Sequence, residues 1–125
     1  MAEGFLKHFY PGYKIFSAGT KPENEVNRFA VKVMNESGID ISQQIPKNVN
    51  IFTNDSFDYL VTVCDNAKEN CPIFTRKVIN KLHIGFEDPS HASGTEEFIM
   101  SEFRRVRDQI EAQFRKLYEM NLKID

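Results

Sequence analysis

Two cysteines, Cys64 and Cys71, stand in the stretch "YLVTVCDNAKENCP" and are the only thiols of this 125-residue chain. Cys64 closes an apolar run, and Cys71 precedes Pro72 in a polar one. Several chemistries are open to such a pair. Structural zinc takes its cysteines about two to four residues apart and in a set of four ligands. Here the spacing is C-x6-C, and the other soft donors are His8, His83 and His91. A pair of inert buried thiols suits Cys64, which ends an apolar run, better than Cys71, whose neighbours are polar. A redox pair is the remaining reading. Cys64 precedes Asp65-Asn66-Ala67-Lys68, which can open a helical turn, and a thiol beside a helix N-terminus gains thiolate character. Cys64 is then a candidate nucleophile and Cys71 a candidate resolving thiol. Were the intervening residues helical, the two positions would lie about 10 Å apart along the axis. A disulfide needs Cα atoms roughly 4.4–6.8 Å apart, so forming one would require that segment to unwind.

The elements that must position these thiols can be read from periodicity. "DYLVTVC" (Asp58–Cys64) is the strongest strand, apolar without alternation, as in a parallel strand covered on both faces. "KLHIGF" (Lys81–Phe86) is a second, and "YKIFSAGT" (Tyr13–Thr20) a third. Val26, Phe29, Ala30, Val33 and Met34 recur at helical spacing, with Asn24 placed to cap the start and Gly38 the end. A short helical turn is expected around Asn50. Ile99, Phe103, Val106, Ile110, Phe114 and Leu117 form one apolar stripe of a long helix, and Ser93 with Glu96 matches a capping box. The opening "MAEGFLKHFY" is helical in period, with Met1, Phe5 and Phe9 on one face. Alternation of this kind means an α/β fold with a mostly parallel sheet. Ligands of such sheets sit beyond the carboxyl ends of the strands. Ser17–Gly19, Cys64–Asn66 and Glu87–Asp88 all fall at such ends, so a shared crevice containing Cys64 is expected.

Composition narrows the class. A chain of this length forms one domain, residues 1–125. Hydrophobic residues make up 41% and charged residues 27%, with a net charge of −2. That balance lacks the basic excess of a nucleic-acid binder. There is no apolar run of the roughly 18 residues that a membrane span needs, and no signal-peptide pattern opens the chain. A cytoplasmic home is expected, where the thiols stay reduced at rest. No metal or organic cofactor is called for.

The segments "MAEGFLKHFYPGYKIFSAGT", "GIDIS", "FDYLVTVCDNAKENCP", "HIGFEDP" and "EEFIMSEFRRVRDQI", in this order, resemble the thioredoxin-coupled arsenate reductases. These share the fold of the low-molecular-weight protein tyrosine phosphatases. The resemblance runs from Met1 to about Ile110, and its most specific part is C-x6-C-P after an apolar strand, followed by "GFEDP". It implies a three-layer α/β sandwich with a small parallel sheet. It also implies a relay of three cysteines that reduces arsenate to arsenite. A first cysteine, in a C-x5-R loop, attacks arsenate. Cys64 attacks the adduct and releases arsenite, Cys71 resolves the resulting disulfide, and thioredoxin reduces the Cys64–Cys71 bond. Asp88 matches the general acid of the phosphatases of this fold, although an aspartate before Pro89 also suits a turn. His91 is assigned no role. The simple phosphatases generally lack the second thiol pair, which favours the reductase over the phosphatase alternative.

One departure from the family pattern is large. "MAEG" follows the first strand and the C-x5-R loop directly in the family, and here it is preceded by neither. Cys64-x5 leads to Asn70, and Arg76 stands one position too early after Cys71. The chain as read is expected neither to bind the oxyanion tightly nor to start the reaction. The missing strand would lie between "KIFSAG" and "DYLVTVC" in the sheet interior. A start upstream of Met1 is the favoured account. Otherwise the flanking strands close up and pair, or the open edges recruit another chain. The intact fold is expected to be a monomer. An inactive form that binds a partner or dimerises through those edges is the third functional reading.

Overall fold

A computed structural model describes residues 1–63, 74 and 76–120. Both cysteines, and the expected helix-to-disulfide rearrangement between them, therefore lie outside the described residues. The chain is an α/β fold whose sheet is small and parallel, as the resemblance implies. It divides into two units: Met1–Phe16, Val26–Gln44 and Asp88–Asp125 form one, and Ser17–Glu25 with Ile45–Glu87 the other.

The first unit is helical. Helix α1 spans Ala2–Phe9, α2 Arg28–Glu36 and α3 Glu96–Glu119. On α3 the apolar stripe becomes core: Phe103, Val106, Ile110 and Phe114 are buried, while Ile99 and Leu117 near its ends are half-buried. Phe5 of α1, Val33 and Met34 of α2, and Ile41 beyond α2 join them with no exposed surface. At Gly4 the backbone of α1 lies close against this core. A Cβ there would lie 2.9 Å from Ile41 Cγ2 and 3.1 Å from Met34 Cε, so only glycine fits without displacing buried side chains.

Two helix starts differ from the sequence reading. Asn27, not Asn24, caps α2: its Oδ1 accepts from the N–H groups of Phe29 at 2.8 Å and Ala30 at 3.3 Å. Two orphan donors of the first turn are thereby satisfied together. Thr95, not Ser93, caps α3, with Oγ1 accepting from Phe98 N–H at 3.1 Å. Gly94 adopts φ +122° just before it, so the chain is still turning where a Ser93 cap would have begun the helix. Glu96 and Glu97 then sit in the first turn, where carboxylates complement the helix dipole. The end of α2 is as expected, with Gly38 at φ +78°.

A charge network ties α2 to α3. Arg104 Nε and Nη2 donate to both Glu36 oxygens at 2.8–3.2 Å, and Arg107 Nη1 donates to Glu36 Oε1 at 2.7 Å and to Val33 O at 2.9 Å. Hydrogen bonds from Arg104 and then Arg107 hold the Glu36 carboxyl at a pKa of about 2. A carboxylate depressed in this way stabilises the fold above its unfolded pKa, and that contribution is lost as pH falls through about 2. Glu36→Gln is therefore expected to lower the thermal midpoint at neutral pH, and the gap to the parent should close as the pH is taken from 5 to about 2. Melting curves across that range check it. A gap independent of pH would mean that the ionised form of Glu36 is not what matters. The gap should also shrink with added salt, because the network is exposed.

The second unit holds the sheet. Strand β1, Phe57–Thr62, pairs in parallel with β2, Val78–His83, in the register Phe57↔Val78 to Thr62↔His83. β2 thus begins before the expected Lys81 and its regular ladder ends earlier. β1 is half-buried, with Asp58 exposed, rather than enclosed on both faces. The described residues give this sheet two strands, and a sheet that narrow has less of each face covered. The expected turn at Asn50 is present as a 3-10 helix, Val49–Phe52, capped by Asn48.

The strand expected at Tyr13–Thr20 is corrected. That segment is irregular and makes one parallel bridge, Gly19 with Asn48: Gly19 N–H donates to Lys47 O at 2.9 Å, and Val49 N–H donates to Gly19 O at 3.0 Å. A strand-like segment does not form a strand without a partner for its ladder groups, and the described residues provide only this bridge. Direct pairing of the segment with β1 is not observed among the described residues, whose sheet has the order β1–β2. No helix among them is long and apolar enough to cross a membrane.

Candidate active site at the carboxyl end of the sheet

The parallel pair determines what leaves the sheet and where. Beyond the regular register, Ile84 N–H donates to Thr62 O at 2.9 Å and Phe86 N–H to Val63 O at 2.8 Å. The two strands are thus held side by side to Val63 and Phe86 and exit at the same end. Cys64 is the next residue after Val63, and Asp88 follows Phe86 by two. Cys64 and Cys71 themselves are not described. Of the three expected strand ends, the one at Ser17–Gly19 does not exist as a strand end.

Within its own unit, Asp88 caps the 3-10 turn Pro89–His91. Its Oδ1 accepts from Ser90 N–H at 2.9 Å and from the Ser90 hydroxyl at 2.6 Å. Its Oδ2 stands 3.7 Å from His91 Nε2, an ion pair when that ring is protonated. The turn-forming role considered for Asp88 is thus realised. It occupies mainly one carboxylate oxygen. His91, given no role on sequence grounds, is the neighbour of the other. The spacing i, i+3 across a tight turn was the available signal.

A second arrangement was not visible in the sequence. Thr62 Oγ1 lies 2.7 Å from His83 Nδ1, across the rung where the two strands end. Which residues share a rung follows from strand register, and register is set by tertiary pairing.

Similarity to known proteins bears on what this geometry is for. Residues 1–125 match the family described as low molecular weight phosphotyrosine protein phosphatase, and the chain belongs to that family. Its relatives include an arsenate reductase of Shouchella clausii (strain KSM-K16). That protein is 42% identical over 120 residues, covering 95% of this chain and 85% of the relative. An arsenate reductase of Bacillus subtilis (strain 168) is 38% identical over the same shares. Among solved structures, an arsenate reductase in the phosphate binding state superposes with a TM-score of 0.73 at 28% identity, over 95% of this chain and 86% of that one. An arsenate reductase in oxidized state gives a TM-score of 0.73 at 29% identity over the same shares.

Proposed function

We propose that this chain is an arsenate reductase in which Cys64 and Cys71 are relay thiols, Asp88 is the general acid, and thioredoxin supplies the reducing equivalents. The observation that carries the reading is the C-x6-C-P run placed directly after β1, in a chain whose relatives at about 40% identity are arsenate reductases. The parallel pairing of β1 and β2 supports it, because ligands of parallel sheets gather at the carboxyl ends from which Cys64 and Asp88 follow.

Arsenate becomes bonded through arsenic to the sulfur of a cysteine, with loss of water. The Cys64 thiolate attacks that sulfur. The sulfur–arsenic electron pair stays on arsenic, which leaves as arsenite, reduced from As(V) to As(III). Cys71 then attacks the Cys64 sulfur, freeing the first thiolate and forming the Cys64–Cys71 disulfide. A thioredoxin dithiol reduces that bond and is itself oxidised. The first cysteine is neither of the two in this sequence, so the chain's own part is the relay after the adduct forms. The reaction is assigned to the cytoplasm, where a thioredoxin-type reductant keeps the thiols reduced, and to a monomer.

Asp88→Asn separates the acid role from the turn role. Asparagine caps a turn as well as aspartate does, but it cannot deliver a proton. In a form that also carries the family's C-x5-R loop, turnover of arsenate is expected to fall about a hundredfold, in line with the loss of a general acid, with the melting curve unchanged. Arsenate-dependent thioredoxin oxidation is the assay. Unchanged turnover would leave Asp88 a turn former only.

A further inference from the structure

The turn that Asp88 caps holds its carboxyl by one oxygen. Oδ1 meets the Ser90 N–H at 2.9 Å and the Ser90 hydroxyl at 2.6 Å. A backbone N–H can only donate, so Oδ1 is an accepting oxygen. Oδ2 has a different setting. Among the described residues its polar neighbour is His91 Nε2 at 3.7 Å, beyond hydrogen-bond distance. Asp88, Ser90 and His91 all belong to the helical unit. The last torsion of an aspartate is broad and two-fold, so an unheld carboxyl presents either oxygen. Two contacts from one residue onto one oxygen remove that freedom. The cap itself needs only the N–H of Ser90. The hydroxyl contact is the shorter of the two, and the turn does not require it.

We infer that Ser90 is a positioning residue for Asp88, its hydroxyl and N–H holding Oδ1 so that Oδ2 is the oxygen left to deliver a proton. The inference rests on the general-acid reading of Asp88. Proton delivery depends on the acid standing within hydrogen-bond reach of the departing oxygen, and small misplacements are costly. A carboxyl pinned in one rotation meets that demand more often than one that turns freely. Ser90 thus acts on the reaction through Asp88 alone.

The test compares two aryl phosphates in a form that also carries the family's C-x5-R loop. Phenyl phosphate has a basic leaving group that needs a proton as it departs. A dinitrophenyl phosphate has one that leaves without it. Ser90→Ala removes the hydroxyl and keeps the N–H. It is expected to lower kcat/KM for phenyl phosphate about tenfold, part of what a general acid is worth, and to leave the dinitrophenyl ester near the parent value. Ser90→Thr keeps the hydroxyl and should keep the parent ratio of the two rates. Melting curves establish that both variants are folded. A merely structural role would lower both substrates alike, and that result overturns the inference. Parent rates on both substrates in Ser90→Ala overturn it too, as does a loss in Ser90→Thr equal to that in Ser90→Ala. Asp88→Asn is the reference. If it leaves the ratio of the two substrates unchanged, the acid reading of Asp88 fails and the inference fails with it.

Discussion

In a form that also carries the family's C-x5-R loop, replacing Cys64 or Cys71 by Ser is expected to abolish thioredoxin-supported arsenate reduction, with turnover falling by about a thousandfold or more. A serine hydroxyl has the shape of the thiol but neither its nucleophilicity at neutral pH nor its capacity for a disulfide. The two variants should fail at different points. Cys64→Ser stops the reaction at the thiol–arsenic adduct, so no arsenite is released. Cys71→Ser permits one release of arsenite and then stops with Cys64 in an unresolved mixed disulfide. Cleavage of an aryl phosphate by the C-x5-R loop of that form, the chemistry of the phosphatases that name the family, needs neither Cys64 nor Cys71 and should survive in both variants. Retained arsenate turnover in the double variant would refute the relay. A stable homodimer with no turnover in the parent would instead favour the partner-binding reading.

The second large effect is on the fold. Phe114→Ala is expected to destabilise the protein by about 3–5 kcal/mol, the range for removing a buried aromatic ring from a core. Phe114 has no exposed surface and lies on α3, in a core that includes Phe5, Val33, Met34, Ile41 and Val106. Removing the ring loses its transfer energy and leaves a cavity that fully buried neighbours cannot easily close. Against a typical net stability of about 5–15 kcal/mol, the loss is a large fraction of the whole. Denaturant unfolding measures it. Phe98→Ala, at an exposed position of the same helix, is the control and should change stability little. Equal effects of the two substitutions would mean that the α3 stripe is not the core.

These expectations show where the sequence was informative. The α3 stripe was legible because burial on one side of a long helix imposes the 3.6-residue period, and Phe103, Val106, Ile110 and Phe114 are the buried positions. The strand at Asp58–Cys64 was legible from its dense apolar run, and β1 covers most of it. The caps were ambiguous because several eligible side chains stood close together. Asn24 and Asn27 both suit a cap, and what decides is which Oδ1 meets two N–H groups. Tyr13–Thr20 misled because strand character belongs to a pair of segments, and its only rung among the described residues is Gly19 with Asn48.

The candidate site could be proposed from its residue types, while its supports could not be read. The thiols and Asp88 stood out by spacing and family pattern. The Thr62–His83 contact joins residues 21 apart in sequence and exists only because β1 and β2 align in one register. The Asp88 turn was half visible: Pro89 announced it, and the Ser90 contacts that fill it are a matter of local geometry.

The central claim is that arsenate reduction leaves its oxidising equivalents in the Cys64–Cys71 pair. Its most direct test is disulfide mapping of a form that also carries the family's C-x5-R loop, after reaction with arsenate and without thioredoxin. The account predicts one Cys64–Cys71 disulfide per arsenite released, and its disappearance when reduced thioredoxin is added. Arsenite released while Cys64 and Cys71 both remain free thiols would contradict it.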